Sequence, residues 1–203
     1  MEVLITNLLG FFIGLLTSFF SWWVLFHWIV PKLEFSKDIS KLPADDDSSG
    51  YSYRIKFLNT GNRSLLDLQV VARLSIKGLT IPRNWFTIKI PLEWNGDLKA
   101  EFPKLSPKTN RIVRLFISHA ASLKVSSHIP EHIRDKARLG KLTLEDLMAL
   151  GSSSKLVIWV FGYDEFSGSR KLFKSYDYQS IDIKQGRFGR LEVTRGIDDS
   201  ITE

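Results

Sequence analysis

The sequence predicts a mainly β protein: a two-sheet antiparallel β-sandwich with a short helical insertion, preceded by one N-terminal transmembrane helix. Three observations lead there. Residues Val3 to Val30 form an apolar run without Asp, Glu, Lys or Arg. From Tyr53 onward, short segments alternate apolar and polar residues with period two, the pattern of half-buried strands. Between Pro130 and Leu150 that alternation gives way to helix signals.

The N-terminal run is long enough to cross a membrane, since about 20 apolar residues span a hydrocarbon core of roughly 30 Å. A cleaved signal peptide needs a basic start, a short apolar core and small residues before the cut. Here Glu2 occupies the start, and bulky Trp22, Trp23, Phe26 and Trp28 stand where cleavage would occur, so the helix over 3–30 is read as retained. Trp22, Trp23, His27 and Trp28 fit an interfacial aromatic belt. Lys32, Lys37 and Lys41 follow the run and no Lys or Arg precedes it. The positive-inside rule therefore places the rest of the chain in the cytoplasm, beneath the inner (plasma) membrane. Gly10 and Gly14 form a Gly-x-x-x-Gly pair, a spacing that lets two helices approach closely. Thr17, Ser18 and Ser21 offer interhelical hydrogen bonds. With no ionisable Asp, Glu, Lys or Arg mid-membrane, a proton relay or voltage sensor is excluded there.

Residues 31–50 are read as a juxtamembrane strand and linker. Pro43, Asp45-Asp46-Asp47 and Ser48-Ser49-Gly50 mark 38–50 as a loop. The acidic triplet lacks the spacing of an EF-hand loop, so no metal is assigned to it. Residues 51–193 form the sandwich. Tyr53, Ile55 and Phe57 point one way, Arg54 and Lys56 the other. Asn59-Thr60-Gly61-Asn62 is a turn. Leu66, Leu68, Val70, Ala72, Leu74 and Ile76 line one face of a long strand. Phe86, Ile88, Ile90 and Leu92 alternate next, then Val113, Leu115 and Ile117. Leu156 to Phe161 is apolar on both faces, as in a central strand. Asp164 to Gly168 is a hairpin turn into Lys171–Tyr178. In the helical stretch, Thr143 with Asp146 three residues on forms an N-cap, and Gly151 is a stop signal. Residues 194–203 are a tail.

Composition narrows the chemistry. The 203 residues carry 28 Lys and Arg against 22 Asp and Glu, a net charge of +6. The cations are spread along the strands. No stripe of them interleaves with aromatics, so no nucleic-acid partner is expected, whereas a basic surface suits membrane lipids with anionic heads. The absence of cysteine excludes disulfides, thiolate zinc sites and a cysteine nucleophile. His128 and His132 sit at i, i+4, but Pro130 between them breaks the shared helical face a metal would need. No Gly-x-Ser-x-Gly elbow, P-loop or carboxylate pair is present. Asp164 and Glu165 read as turn residues, and Trp85, Trp94 and Trp159 as core. No catalytic residue, metal or cofactor is assigned, and a non-enzyme is expected.

Several segments, taken in order, resemble the cytoplasmic C-terminal domain of inward-rectifier potassium channels. Pro31-Lys32-Leu33-Glu34-Phe35-Ser36 is similar to the basic segment and short Phe-Ser strand that follow that family's inner helix. Tyr53-Arg54-Ile55-Lys56-Phe57 with Asn59, Asn62-Arg63-Ser64, and Ala72-Arg73-Leu74 look like its first strand pair. Leu156 to Phe161, Gly162, Asp164-Glu165, Ser167-Gly168, Tyr176, Asp182-Ile183, Gly186 and Arg187-Phe188 resemble its closing motifs. The resemblance implies an immunoglobulin-like sandwich that assembles as a cytoplasmic four-fold ring, hence a homo-oligomer, a tetramer. It also implies anionic-lipid headgroup binding at the junction, carried here by Lys32 and Lys37. There is no second apolar span and no filter loop, so a self-sufficient potassium channel is not expected. The expected function is an oligomeric sensing or scaffolding module for an unknown small ligand or protein partner. The alternative is a ligand-gated effector whose helices assemble into a non-selective pore.

Overall fold

The computed structural model describes residues 2–27, 30–44, 50–79, 84–117 and 128–194. Trp28, the acidic triplet 45–47, residues 120–127 and the tail beyond Thr194 lie outside the described residues, as do the side chains of Phe26 and His27.

The apolar run forms one helix, α1 (Glu2–His27). Its Ile5–Leu25 portion, 21 residues, is long and apolar enough to cross a membrane. Thr6 and Thr17 donate their hydroxyls to the carbonyls of Glu2 and Ile13, at 3.0 and 2.8 Å. These polar groups are thus satisfied inside their own helix, as an apolar solvent requires.

The head is a β-sandwich. The first sheet contains β1 (Leu33–Phe35), β2 (Ile39–Pro43), β3 (Tyr51–Asn59), β6 (Leu92–Glu93), β8 (Asn110–Leu115) and β11 (Ile183–Gln185). Its order is β11-β2-β3-β8-β6, with β1 also pairing β3. The second contains β4 (Leu65–Lys77), β5 (Trp85–Ile90), β7 (Glu101–Leu105), β9 (Ser153–Asp164) and β10 (Arg170–Lys174). Its order is β10-β9-β4-β5, with β7 pairing the first half of β4. Pairing is antiparallel except between β11 and β2. A small ribbon, β12 (Arg187–Phe188) with β13 (Val193–Thr194), follows.

Alternation decides what is buried. Tyr53, Ile55 and Phe57 on β3 face Leu68, Val70, Ala72, Leu74 and Ile76 on β4 across a single core. The sheets interlock through Phe57 and Phe102, edge to face with centroids 6.0 Å apart. Each such aliphatic side chain withdrawn from water contributes about 1.5–3 kcal/mol. Leu66 departs from the expected face. A bulge between Leu66 and Gln69, with Asp67 at φ 47°, resets the register so that burial resumes at Leu68.

Two readings of the sequence are corrected. Residues 38–50 do not begin as a linker: Ile39 and Ser40 are fully buried and β2 pairs both β3 and β11. The loop signals obscured a strand that ends at Pro43. Trp85 is not core but 46% exposed, lying under the Lys155 ammonium at 5.2 Å. Trp94 packs against the core beside Phe102, and Trp159 is half-buried. Tyr178, fully buried, lies beyond the end of β10 and bridges to Leu156.

The helical insertion is two short helices, α2 (Glu131–Arg138) and α3 (Leu144–Met148). Thr143 and Asp146 form the expected reciprocal capping box. Glu145 ties α3 to the first sheet, accepting from Tyr53 Oη and from Lys41 Nζ at 2.5 Å. Burial and that carboxylate push the Tyr53 hydroxyl well above the ordinary tyrosine value. Tyr53 lies six residues along β3 from Asn59, about 20 Å at the rise of a strand. The helical cap and the attachment of α1 therefore occupy opposite ends of the sandwich.

Candidate functional site

The site is the junction where α1 meets the head, and it starts from one turn. Asn59 ends β3 and is fully buried. Its Oδ1 accepts from Gly61 N–H at 3.0 Å, and its Nδ2 donates to the carbonyls of Arg63 at 2.8 Å and Leu105 at 3.2 Å. That side chain shapes the 59–63 turn locally, as Asn does in turns generally. The chain leaving α1 lies directly on this turn. Lys32 C=O accepts from Thr60 N–H at 2.8 Å and Gly61 N–H at 3.3 Å. A Cβ on Gly61 would stand 2.4 Å from Val30 O and 2.5 Å from Lys32 N, so only glycine permits the crossing.

Arg63, presented by the same turn, is 9% exposed. One terminal nitrogen donates to Leu25 C=O at 2.8 Å. Leu25 contributes one of the last four helix carbonyls, which lack a partner within α1 and carry the negative end of its dipole. The other terminal nitrogen pairs with Asp164 Oδ2 at 3.4 Å, and the guanidinium lies over the Phe166 ring at 4.2 Å. Asp164, 2% exposed at the end of β9, also accepts from Phe166 N–H at 3.1 Å and Ser167 Oγ at 2.9 Å. Burial alone would raise its pKa. These bonds and the Arg63 charge outweigh burial and hold the carboxyl below its usual range.

The residues expected from sequence fall around this clasp. Lys32 is exposed at the helix exit and makes no ion pair among the described residues. Lys37, past the end of β1, donates to Glu192 at 2.8 Å, and that bond raises its pKa. The two lysines are therefore not equivalent: one is free for an anion and the other already faces a carboxylate. Among the described residues nothing lies within 4 Å of a Cβ placed on Gly10 or Gly14. Arg63 and Asp164 carry the junction, and no local sequence pattern pairs them. Each stood in a recognisable turn, but 101 positions separate them. Among the described residues no group of three or more His, Cys, Asp or Glu converges to hold a metal.

The arrangement fastens the end of an apolar helix to two turns of the head through one permanently charged side chain.

No family model matches the chain, and no curated protein matches it. Among solved structures it is similar to Spo0M, a sporulation control protein from Bacillus subtilis, with a TM-score of 0.29 and 8% sequence identity. That match covers 73% of this chain and 50% of the other, so the chain spans about half the length of the protein it matches. At this level the likeness carries no argument about fold or function.

Proposed function

We propose that the protein is a single-pass membrane protein whose cytoplasmic head, like that of an inward rectifier, acts as an oligomeric sensing or scaffolding module. The observation that supports this reading best is the bond from Arg63 to the Leu25 carbonyl. It makes the orientation of α1 depend on the turn that carries Arg63, so a change in the head reaches the membrane segment. Lys32 sits beside that contact and faces the anionic inner leaflet in the orientation that the positive-inside rule favours. The protein is neither an enzyme nor a self-sufficient potassium channel on this reading.

The mass of the detergent-solubilised full chain tests it. A tetramer is expected, and a monomer overturns the ring. A second reading, a ligand-gated effector that forms a non-selective pore, is favoured by the open surroundings of Gly10 and Gly14 on an otherwise unpacked helix. Ligand-dependent dye leakage from liposomes carrying the purified chain separates it from the first.

A further inference from the structure

Three cations gather in one place. The solvent face of the first sheet has a hollow of about 280 Å³ lined by Lys56, Leu58, Thr60, Lys108, Asn110 and Arg190. Three of its six lining residues are cations and none is an acid. Elsewhere, Lys37, Lys104, Lys136, Lys155, Lys174 and Lys184 each face a carboxylate. Here Lys56 Nζ donates to Gly189 C=O at 2.8 Å and Lys108 Nζ to Thr60 C=O at 2.5 Å. A carbonyl orients an ammonium without neutralising it, and each ammonium has three donors, two of them still unused. Arg190 makes no side-chain hydrogen bond or ion pair among the described residues.

This is a concentrated, pre-oriented positive charge in a hollow with ample room for a phosphate group. Beyond Asn110 a second hollow, about 490 Å³, continues between Arg54, Trp94, Arg111 and Arg114. It leaves room for the rest of a ligand. Its one acid, Glu93, is paired with Arg114 at 3.4 Å.

We infer that this face binds a phosphate-bearing ligand, with Lys56, Lys108 and Arg190 holding the phosphate. The inference supplies a ligand class for the sensing role proposed above, though binding itself does not depend on that role. The site also adjoins the junction. Lys108 holds Thr60, and Thr60 N–H donates to Lys32 C=O at the helix exit. A phosphate held by the two remaining donors of Lys108 shares the ammonium that holds the Thr60 carbonyl. The phosphate belongs either to a soluble molecule or to a lipid headgroup, since both present the same oxygens.

The full chain in nanodiscs of neutral phosphatidylcholine, titrated with inorganic pyrophosphate, tests the soluble source by tryptophan fluorescence or calorimetry. Nanodiscs doped with phosphatidic acid, compared by thermal shift, test the lipid source. A dissociation constant below about 1 mM for pyrophosphate, or a stabilisation specific to phosphatidic acid, supports the site and names its source. In the Lys56→Gln, Lys108→Gln, Arg190→Gln variant the response falls at least about tenfold, as expected when charge-assisted contacts are lost. Arg190→Gln alone, which removes no side-chain hydrogen bond or ion pair among the described residues, also weakens it. The site is overturned if neither probe acts, or if both act equally on the triple variant with its β-sheet spectrum intact. A tetramer that ignores both probes sinks this site and spares the ring; a monomer that binds phosphate does the reverse.

Discussion

The carboxylate of Asp164 accepts three hydrogen bonds while almost fully enclosed, and one of them comes from a buried guanidinium. Removing it strands that charge. Asp164→Ala is expected to cost about 3 kcal/mol, the scale of a broken buried pair, in urea unfolding of the solubilised chain. Lys37→Ala, which removes an exposed ion pair, is expected to leave the unfolding midpoint unchanged. The same carboxylate sets an acid limit. Its folded pKa lies below the ordinary 3.8, and that of Glu145 lies below 4.5, where hydrogen bonds from Lys41 and Tyr53 overcome the opposing effect of burial. As pH falls the unfolded chain takes up protons first. The stabilisation is full above those ordinary values and is lost as pH drops through the folded ones. Thermal unfolding at stepped pH is expected to show a fall in stability beginning near pH 4 that is shallower in Asp164→Asn.

At the scale of elements, the β3–β4 turn and the α3 cap hold opposite ends of the sandwich. Gly61→Ala places a methyl group against Val30 O and Lys32 N, both backbone atoms that cannot swing aside. The exit strand must then lift from the turn. Limited proteolysis is expected to cut between α1 and β1 faster than in the parent chain, and an unchanged digestion pattern would refute the close crossing. Thr143→Ala removes the capping box of α3 and is expected to cost about 1 kcal/mol in the same unfolding assay. It leaves the junction intact, because α3 contacts the far ends of β2 and β3.

For the whole molecule, on the proposed reading, the apolar helix and the basic residues that follow it act on the same membrane. Lys32→Ala with Lys37→Ala is expected to weaken binding of the chain to anionic vesicles several-fold. Lys32→Ala alone should account for most of the loss, because Lys37 already faces Glu192. Flotation on phosphatidylserine-containing liposomes measures both. Equal effects of the two single substitutions would show that the Glu192 pair does not hold at a membrane surface.

Much of this protein was legible from local pattern. The apolar run needed only length and the absence of charge, and period-two alternation located most strands because one face of each is buried. The Thr143 cap and the turns at 59–62 and 164–168 were visible because turn and cap chemistry is local. Three things were not. The strand β2 was hidden by Pro43 and the acidic residues after it, and exists because β3 and β11 supply its partners. The Arg63–Asp164 clasp joins residues whose turns become adjacent only when β4 pairs with β9 and sets Leu65 opposite Asp164. The cations at 56, 108 and 190 look dispersed along the chain, and only the pairing of β3 with β8 and the return of the 186–192 segment bring them together. Sequence alone determined which segments must leave water and which must turn. The tertiary structure decided which charges meet, because the energy of a charge depends on its neighbours in space and not along the chain.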